Sequence, residues 1–219
     1  TKSYATGDRE YMHSLIFRSA KFSFFLLLFL SLPVLIETKA ILTLWLKIVP
    51  DHTVVFLRIM LCTTWVYAIS NPLITAASAT GKIKFYQSVV GGLLLLILPI
   101  SYLCLRLGLP AYSVFIVHLG MEITAQFARL WMLRRMIRLS LREYFTKVIW
   151  RISKVTIIAL AAPLAVAYWL PGEEIWNLLT ICLICAISTS MSVYWFGLTS
   201  GEKIYISSRV SSIVSKFRI

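Results

Sequence analysis

Acidic side chains are scarce in this chain: nine Asp and Glu stand among 219 residues, and charge of both signs reaches only 14%. Soluble domains average about 25%, and a chain this short of charge would expose very large apolar patches to water. Histidine is scarcer still, with His13, His52 and His118 too scattered to gather a metal ion. There is no P-loop, no H-E-x-x-H, no G-x-S-x-G and no aspartate-rich metal motif. Long polar loops are missing too, so there is no room for a soluble active site. These absences argue against an enzyme and leave no cofactor or metal to expect. All four cysteines, Cys62, Cys104, Cys182 and Cys185, fall in apolar stretches. They form no disulfide framework, and Cys182-x-x-Cys185 inside a membrane helix reads as small packing residues rather than a redox or metal pair.

What the chain has in plenty is apolar sequence, at 59%. It gathers in six stretches, residues 15–36, 54–78, 85–105, 111–133, 148–170 and 175–196. Each is about 20 residues or more, and a helix rising ~1.5 Å per residue then spans a ~30 Å hydrocarbon layer. The expected fold is all-α: a polytopic integral membrane bundle of six transmembrane helices. Basic residues set its orientation. Eighteen of the 22 Lys and Arg fall on one side, in the lead-in, the second and fourth loops, and the tail. The positive-inside rule then predicts that both termini are cytoplasmic. The net charge of +13 follows from that topology and from attraction to anionic membrane lipids, with no nucleic acid required as partner. Tryptophans agree: Trp45, Trp169 and Trp176 fall near the outer interface, Trp131, Trp150 and Trp195 near the inner one, and Trp65 alone near mid-span. The first residues do not look like a signal peptide. They look like a cytoplasmic linker feeding a helix, as in a piece of a longer chain.

Proline sits inside four of the stretches, as Pro33, Pro72, Pro99 and Pro163. Each removes a helical hydrogen bond, and the kinks fit either a transporter cavity or a packing adjustment. Gly91–Gly92 permits close helix approach. Arg134, Arg138 and Arg142 recur every four residues, which predicts that the fourth helix runs on with these arginines on one face. In the tail, Ile206, Val210, Ile213 and Phe217 form one stripe with basic residues off it, an interfacial amphipathic pattern.

Glu122 is the one acidic residue deep in an apolar stretch. An ionised side chain there costs about 2.5–3.5 kcal/mol on insertion scales, which keeps it from lipid. His118, Gln126 and Arg129, at spacings of four and seven, share its face. Two readings follow. The stripe lines a wet cavity, with Glu122 as a protonatable switch or a contact for a polar substrate; or His118, Glu122 and Gln126 form a hydrogen-bonded clamp between two helices. Arg58 lies one turn into the second stretch, where it snorkels to headgroups or, facing inward, holds a phosphate or acidic sugar. Asn71, Thr75 and Ser78 share a face that could bind sugar hydroxyls or bond across to other helices.

One run is more specific. Asn71-Pro-Leu-Ile-Thr-Ala-Ala-Ser-Ala-Thr-Gly-Lys-Ile-Lys-Phe-Tyr-Gln87, followed by Gly91–Gly92 and Leu98-Pro-Ile-Ser-Tyr102, resembles the bacterial polysaccharide-repeat flippases of the Wzx type. These belong to the superfamily that includes the lipid II flippases and the multidrug and toxin extruders. Tyr4-Ala-Thr-Gly-Asp-Arg-Glu-Tyr-Met12 and Ile41-Leu-Thr-Leu-Trp-Leu46 fit the same pattern. The resemblance covers about residues 1–140, and beyond that hydropathy alone carries it. It implies two helical lobes rocking around a central cavity in the bacterial inner membrane. It also implies an undecaprenyl-pyrophosphate-linked oligosaccharide as substrate, with polysaccharide polymerase machinery as a further partner. This chain then looks like the C-terminal portion. Residues 1–14 are a cytoplasmic lead-in, 15–138 four helices of the second lobe, 139–198 two additional helices, and 199–219 a basic amphipathic tail. The N-terminal lobe, with the cavity arginines that bind pyrophosphate, would be the missing partner. Glu122, His118, Gln126, Asn71 and Arg58 are the candidate cavity-lining residues. The alternatives are a drug or cation extruder of the same superfamily, a membrane-embedded glycan polymerase or acyltransferase, and a non-catalytic helical subunit.

Overall fold

The computed structural model describes residues 9–81, 83–169 and 175–203, and among these no strand occurs. The elements are α1 (Arg9–Ile36), α2 (Thr38–Leu46), α3 (Thr53–Ala79), α4 (Ile83–Leu95), α5 (Ile97–Arg106), α6 (Ser113–Met136), α7 (Leu141–Tyr144), α8 (Trp150–Trp169) and α9 (Ile175–Ser192). Wider π-helical turns occupy Phe145–Ile149, joining α7 to α8, and Val193–Gly197, closing α9. Helices thus fill all six apolar stretches. Five runs are long and apolar enough to cross a membrane: Glu10–Ile36, Thr53–Ala79, Ile83–Arg106, Leu141–Trp169 and Ile175–Gly197. At the fourth stretch α6 has 24 residues, length enough, but His118, Glu122, Gln126 and Arg129 lower its hydropathy and it stands outside that set. Residues 9–14, expected as a polar lead-in, are the opening turns of α1. Glu173, Glu174 and the amphipathic stripe from Ile206 to Phe217 lie outside the described residues.

The helices pack in a row. Helix α6 takes α4 and α5 on one side and α3 on the other, α3 meets α1, and α1 meets the α8–α9 hairpin. Ala20, Phe24, Leu28 and Leu32 recur every four residues along α1 and are buried, while Leu26 and Leu30 on the opposite face are 65% and 61% exposed. A helix apolar on every face, with the outward one bare, suits lipid as its solvent. Trp65, the one tryptophan near mid-span, turns inward and donates its indole N–H to Ser31 Oγ at 2.7 Å, tying α3 to α1.

Local chemistry sets the breaks. Pro99 has no N–H to offer the Leu95 carbonyl, and its ring crowds that carbonyl. The helix tightens there, with Leu96 N–H bonding the Leu93 carbonyl at 3.2 Å, and α4 gives way to α5. Helices α1, α3 and α8 continue through Pro33, Pro72 and Pro163. Gly81 and Gly108, at φ of 72° and 79°, make the turns after α3 and α5. Two expectations are overturned. Helix α6 stops at Met136, and Arg138 adopts a left-handed φ of 54°, so Arg134, Arg138 and Arg142 share no face. The physical cause is Ser140, whose hydroxyl accepts the Glu143 N–H at 3.4 Å and starts a new helix. Nor does Gly91–Gly92 mediate close approach: a Cβ on either residue would meet nothing within 4 Å.

The close approach occurs instead at Gly197, where a Cβ would lie 2.8 Å and 2.9 Å from two carbons of the buried Phe25 ring. Gly197→Ala should therefore cost about 1–3 kcal/mol by overpacking. Gly91→Ala should leave stability unchanged or raise it. Thermal unfolding midpoints of the two variants in detergent check the contrast.

Candidate functional site

The deepest polar cluster forms where α6 meets α3. Arg129 lies almost two turns after Glu122 on α6. Helical side chains lean toward the N-terminus, so a long one reaches back along its own face. The Arg129 guanidinium reaches Glu122 in this way: Nη1 lies 2.8 Å from Oε1, with the two side chains only 2% and 5% exposed. The same Nη1 donates to Ser70 Oγ on α3 at 3.1 Å. Ser70 Oγ in turn lies 2.6 Å from Gln126 Oε1, and Gln126 Nε2 donates to the Tyr144 hydroxyl at 3.4 Å. The network therefore stitches α6 to α3 and to α7. Tyr86 of α4 is fully buried, and neither its hydroxyl nor Arg129 Nε meets a partner in good hydrogen-bond geometry among the described residues.

The five expected lining residues do not form one site. Glu122 and Gln126 belong to the seam just described, as in the clamp reading, but His118 does not join it and stands exposed on α6. Arg129 takes its place. A seven-residue step on a helix returns within about 20° of the starting face, whereas a four-residue step drifts by about 40°. Arg58 is exposed at the opposite end of α3. Its guanidinium donates to Thr38 Oγ1 at 3.2 Å and to the Ile36 carbonyl at 3.3 Å, holding the corner between α1 and α2. That is a cation on the last carbonyls of a helix, a favourable placement.

Asn71 is exposed and lines a groove of about 310 Å³ between α1 and α3. Ser19 and Ser23 face it from α1, Asn71 and Thr75 from α3. Each pair is spaced by four residues, so two short polar rows face each other across an otherwise apolar cleft.

Sequence reading missed a second buried ion pair. Lys21, 4% exposed on α1, donates to both carboxylate oxygens of Glu202 at 2.9 Å. Glu202 Oε2 also accepts the Thr199 N–H at 2.8 Å, and Thr199 Oγ1 accepts the Glu202 N–H at 3.4 Å. This is a reciprocal capping box, and its T-x-x-E signature was present in the sequence. Burial pushes the Glu202 carboxyl up, but the Thr199 N–H and Lys21 outweigh it and hold the group below its ordinary 4.5.

Among the described residues no three His, Cys, Asp or Glu gather as metal ligands. No protein-family model, curated protein or solved structure matches the chain. The sites must therefore speak through their own geometry.

Proposed function

We propose that this chain is part of a membrane transporter: the C-terminal part of a flippase that moves undecaprenyl-pyrophosphate-linked oligosaccharide repeats from the cytoplasmic to the periplasmic leaflet by alternating access. In this reading α6 is the sixth crossing, both termini are cytoplasmic, and a further N-terminal lobe completes the cavity. The membrane is the bacterial inner membrane, and the chain is not an enzyme. The polar groove between α1 and α3 carries the proposal. A glycan crossing lipid needs hydroxyl and amide partners along its route, because each unsatisfied polar group costs several kcal/mol in hydrocarbon. Ser19, Ser23, Asn71 and Thr75 supply such groups on one open face.

The extruder alternative draws less support. It calls for an acid standing free in a cavity, whereas Glu122 is locked to Arg129. The same pairing favours a clamp over proton or cation coupling as the role of Glu122.

The test is Asn71→Leu combined with Thr75→Val in the full-length protein. Losing two polar contacts at about 1 kcal/mol or more each should lower surface-glycan export by roughly tenfold or more. Unchanged export at wild-type membrane levels would sink the flippase reading. Lost resistance to toxic cations with intact export would install the extruder in its place.

A further inference from the structure

A larger cavity, about 560 Å³, opens at the end of the bundle where α1 begins. Its walls are the first turns of α1, the α7–α8 junction and the segment after α9. Both π-helical turns, Phe145–Ile149 and Val193–Gly197, adjoin it, and such irregular turns recur at functional sites. Lys154 lies 4.9 Å over the Trp150 ring and Lys203 5.0 Å over the Tyr194 ring at this same end, aromatic and basic pairs of the kind that occupy a headgroup layer.

The charges lining the cavity are unevenly satisfied. Lys21 and Glu202 engage each other fully. Lys147 is taken by Glu143 at 2.6 Å. Arg18 reaches Glu202 only at 3.7 Å, on a carboxylate already committed to Lys21 and Thr199. Arg151 has no carboxylate within ion-pair distance among the described residues; its guanidinium makes a single long bond, 3.5 Å, to the Gly197 carbonyl. Glu10 stands exposed at the rim, and His13 has its Nε2 3.1 Å from the Ile137 carbonyl. Two guanidiniums therefore line one cavity with donors to spare. A guanidinium's planar fork matches the oxygens of a phosphate, and basic pockets between membrane helices hold lipid phosphates.

We propose that this cavity is a binding site for a phosphate group, with Arg18 and Arg151 as the donors and Lys147 adding positive field. The site is independent of the transport reading, since it needs only a phosphate at the depth of the headgroups. That phosphate comes from an anionic phospholipid or from solution, and the experiment separates the two.

The full chain is placed in phosphatidylcholine nanodiscs containing a minor share of phosphatidylglycerol, and native mass spectrometry counts the lipids retained. Wild type should hold phosphatidylglycerol in preference to phosphatidylcholine, and R18Q/R151Q should lower that preference roughly tenfold. R134Q/R135Q, which removes two exposed arginines outside the cavity, should not change it. In a second arm, inorganic phosphate is titrated into nanodiscs of phosphatidylcholine alone. Binding heat that vanishes in R18Q/R151Q assigns the site to soluble phosphate. No heat, with phosphatidylglycerol retention intact, assigns it to the lipid. If R18Q/R151Q does not fold, R151K serves instead: it keeps the charge, loses the fork, and should weaken whichever signal wild type gives. Equal signals in wild type and these variants, or an equal loss in R134Q/R135Q, would overturn the proposal.

Discussion

Arg129→Met should be among the most destabilising single substitutions in this chain, at about 3–5 kcal/mol, because it leaves Glu122 buried without its counter-charge. Glu122 and Arg129 are nearly closed off from solvent, 4% and 2% exposed, and no other cation pairs with Glu122 among the described residues. Ser70 would lose the guanidinium that it shares with Glu122, so the α3–α6 contact should loosen as well. Glu122→Leu alone should cost a similar amount, by stranding Arg129. Combined, the two substitutions should recover most of the loss, since a buried pair replaced by apolar side chains of similar volume is often neutral or better. Unfolding midpoints of the two single variants and the double variant in detergent decide the matter. If the double variant is as unstable as the sum of the singles, the two side chains are not coupled and the clamp reading fails.

The ion pair also shows what the sequence could convey and where it stopped. Apolar length placed a helix in every one of the six expected stretches, because a lipid-crossing helix must be long, continuous and apolar whatever it packs against. The spacing of Glu122 and Arg129 was visible too. That Arg129 closes on Glu122 was not, because Arg129 also counted among the basic residues of the following loop, and hydropathy cannot tell a loop arginine from one reaching back into the bundle. Ser70 and Tyr144 had no signal, since a lone serine on α3 gains meaning only when α6 lies beside it. The helix stop at Met136 runs against the four-residue spacing of the arginines, because Ser140-x-x-Glu143 is a helix-start pattern that local chemistry obeys. The α1–α3 groove and the phosphate cavity depend on which helices are neighbours, and periodicity along one helix does not contain that.

Lys21→Met is expected to release the segment after α9 rather than unfold the bundle. Without Lys21, Glu202 keeps only the half-exposed Arg18 at 3.7 Å, and holding it buried there would cost up to about 3–5 kcal/mol; the segment after α9 has a cheaper escape, since it can undock and return the carboxylate to water, a local opening. The Thr199 N–H is a reporter of the event, because in the docked segment it donates at 2.8 Å to the Glu202 carboxylate that Lys21 holds. Its hydrogen-exchange protection should collapse in Lys21→Met, while amides around Leu28, at the buried centre of α1, keep theirs. Lys21→Met combined with Glu202→Leu should restore part of the packing but not the Thr199 protection, since the capping carboxylate is gone. Acid should mimic the mutation. Glu202 has a folded-state pKa below its ordinary 4.5, so its contribution is fully present above that pH and is lost as the pH falls through the folded value. Wild type should thus keep its Thr199 protection down to about pH 4.5 and lose it below, whereas Lys21→Met, lacking the ammonium that depresses the pKa, should already be open at higher pH. Protection of Thr199 that is identical in wild type and Lys21→Met at neutral pH would show that the buried ammonium does not hold this segment to α1.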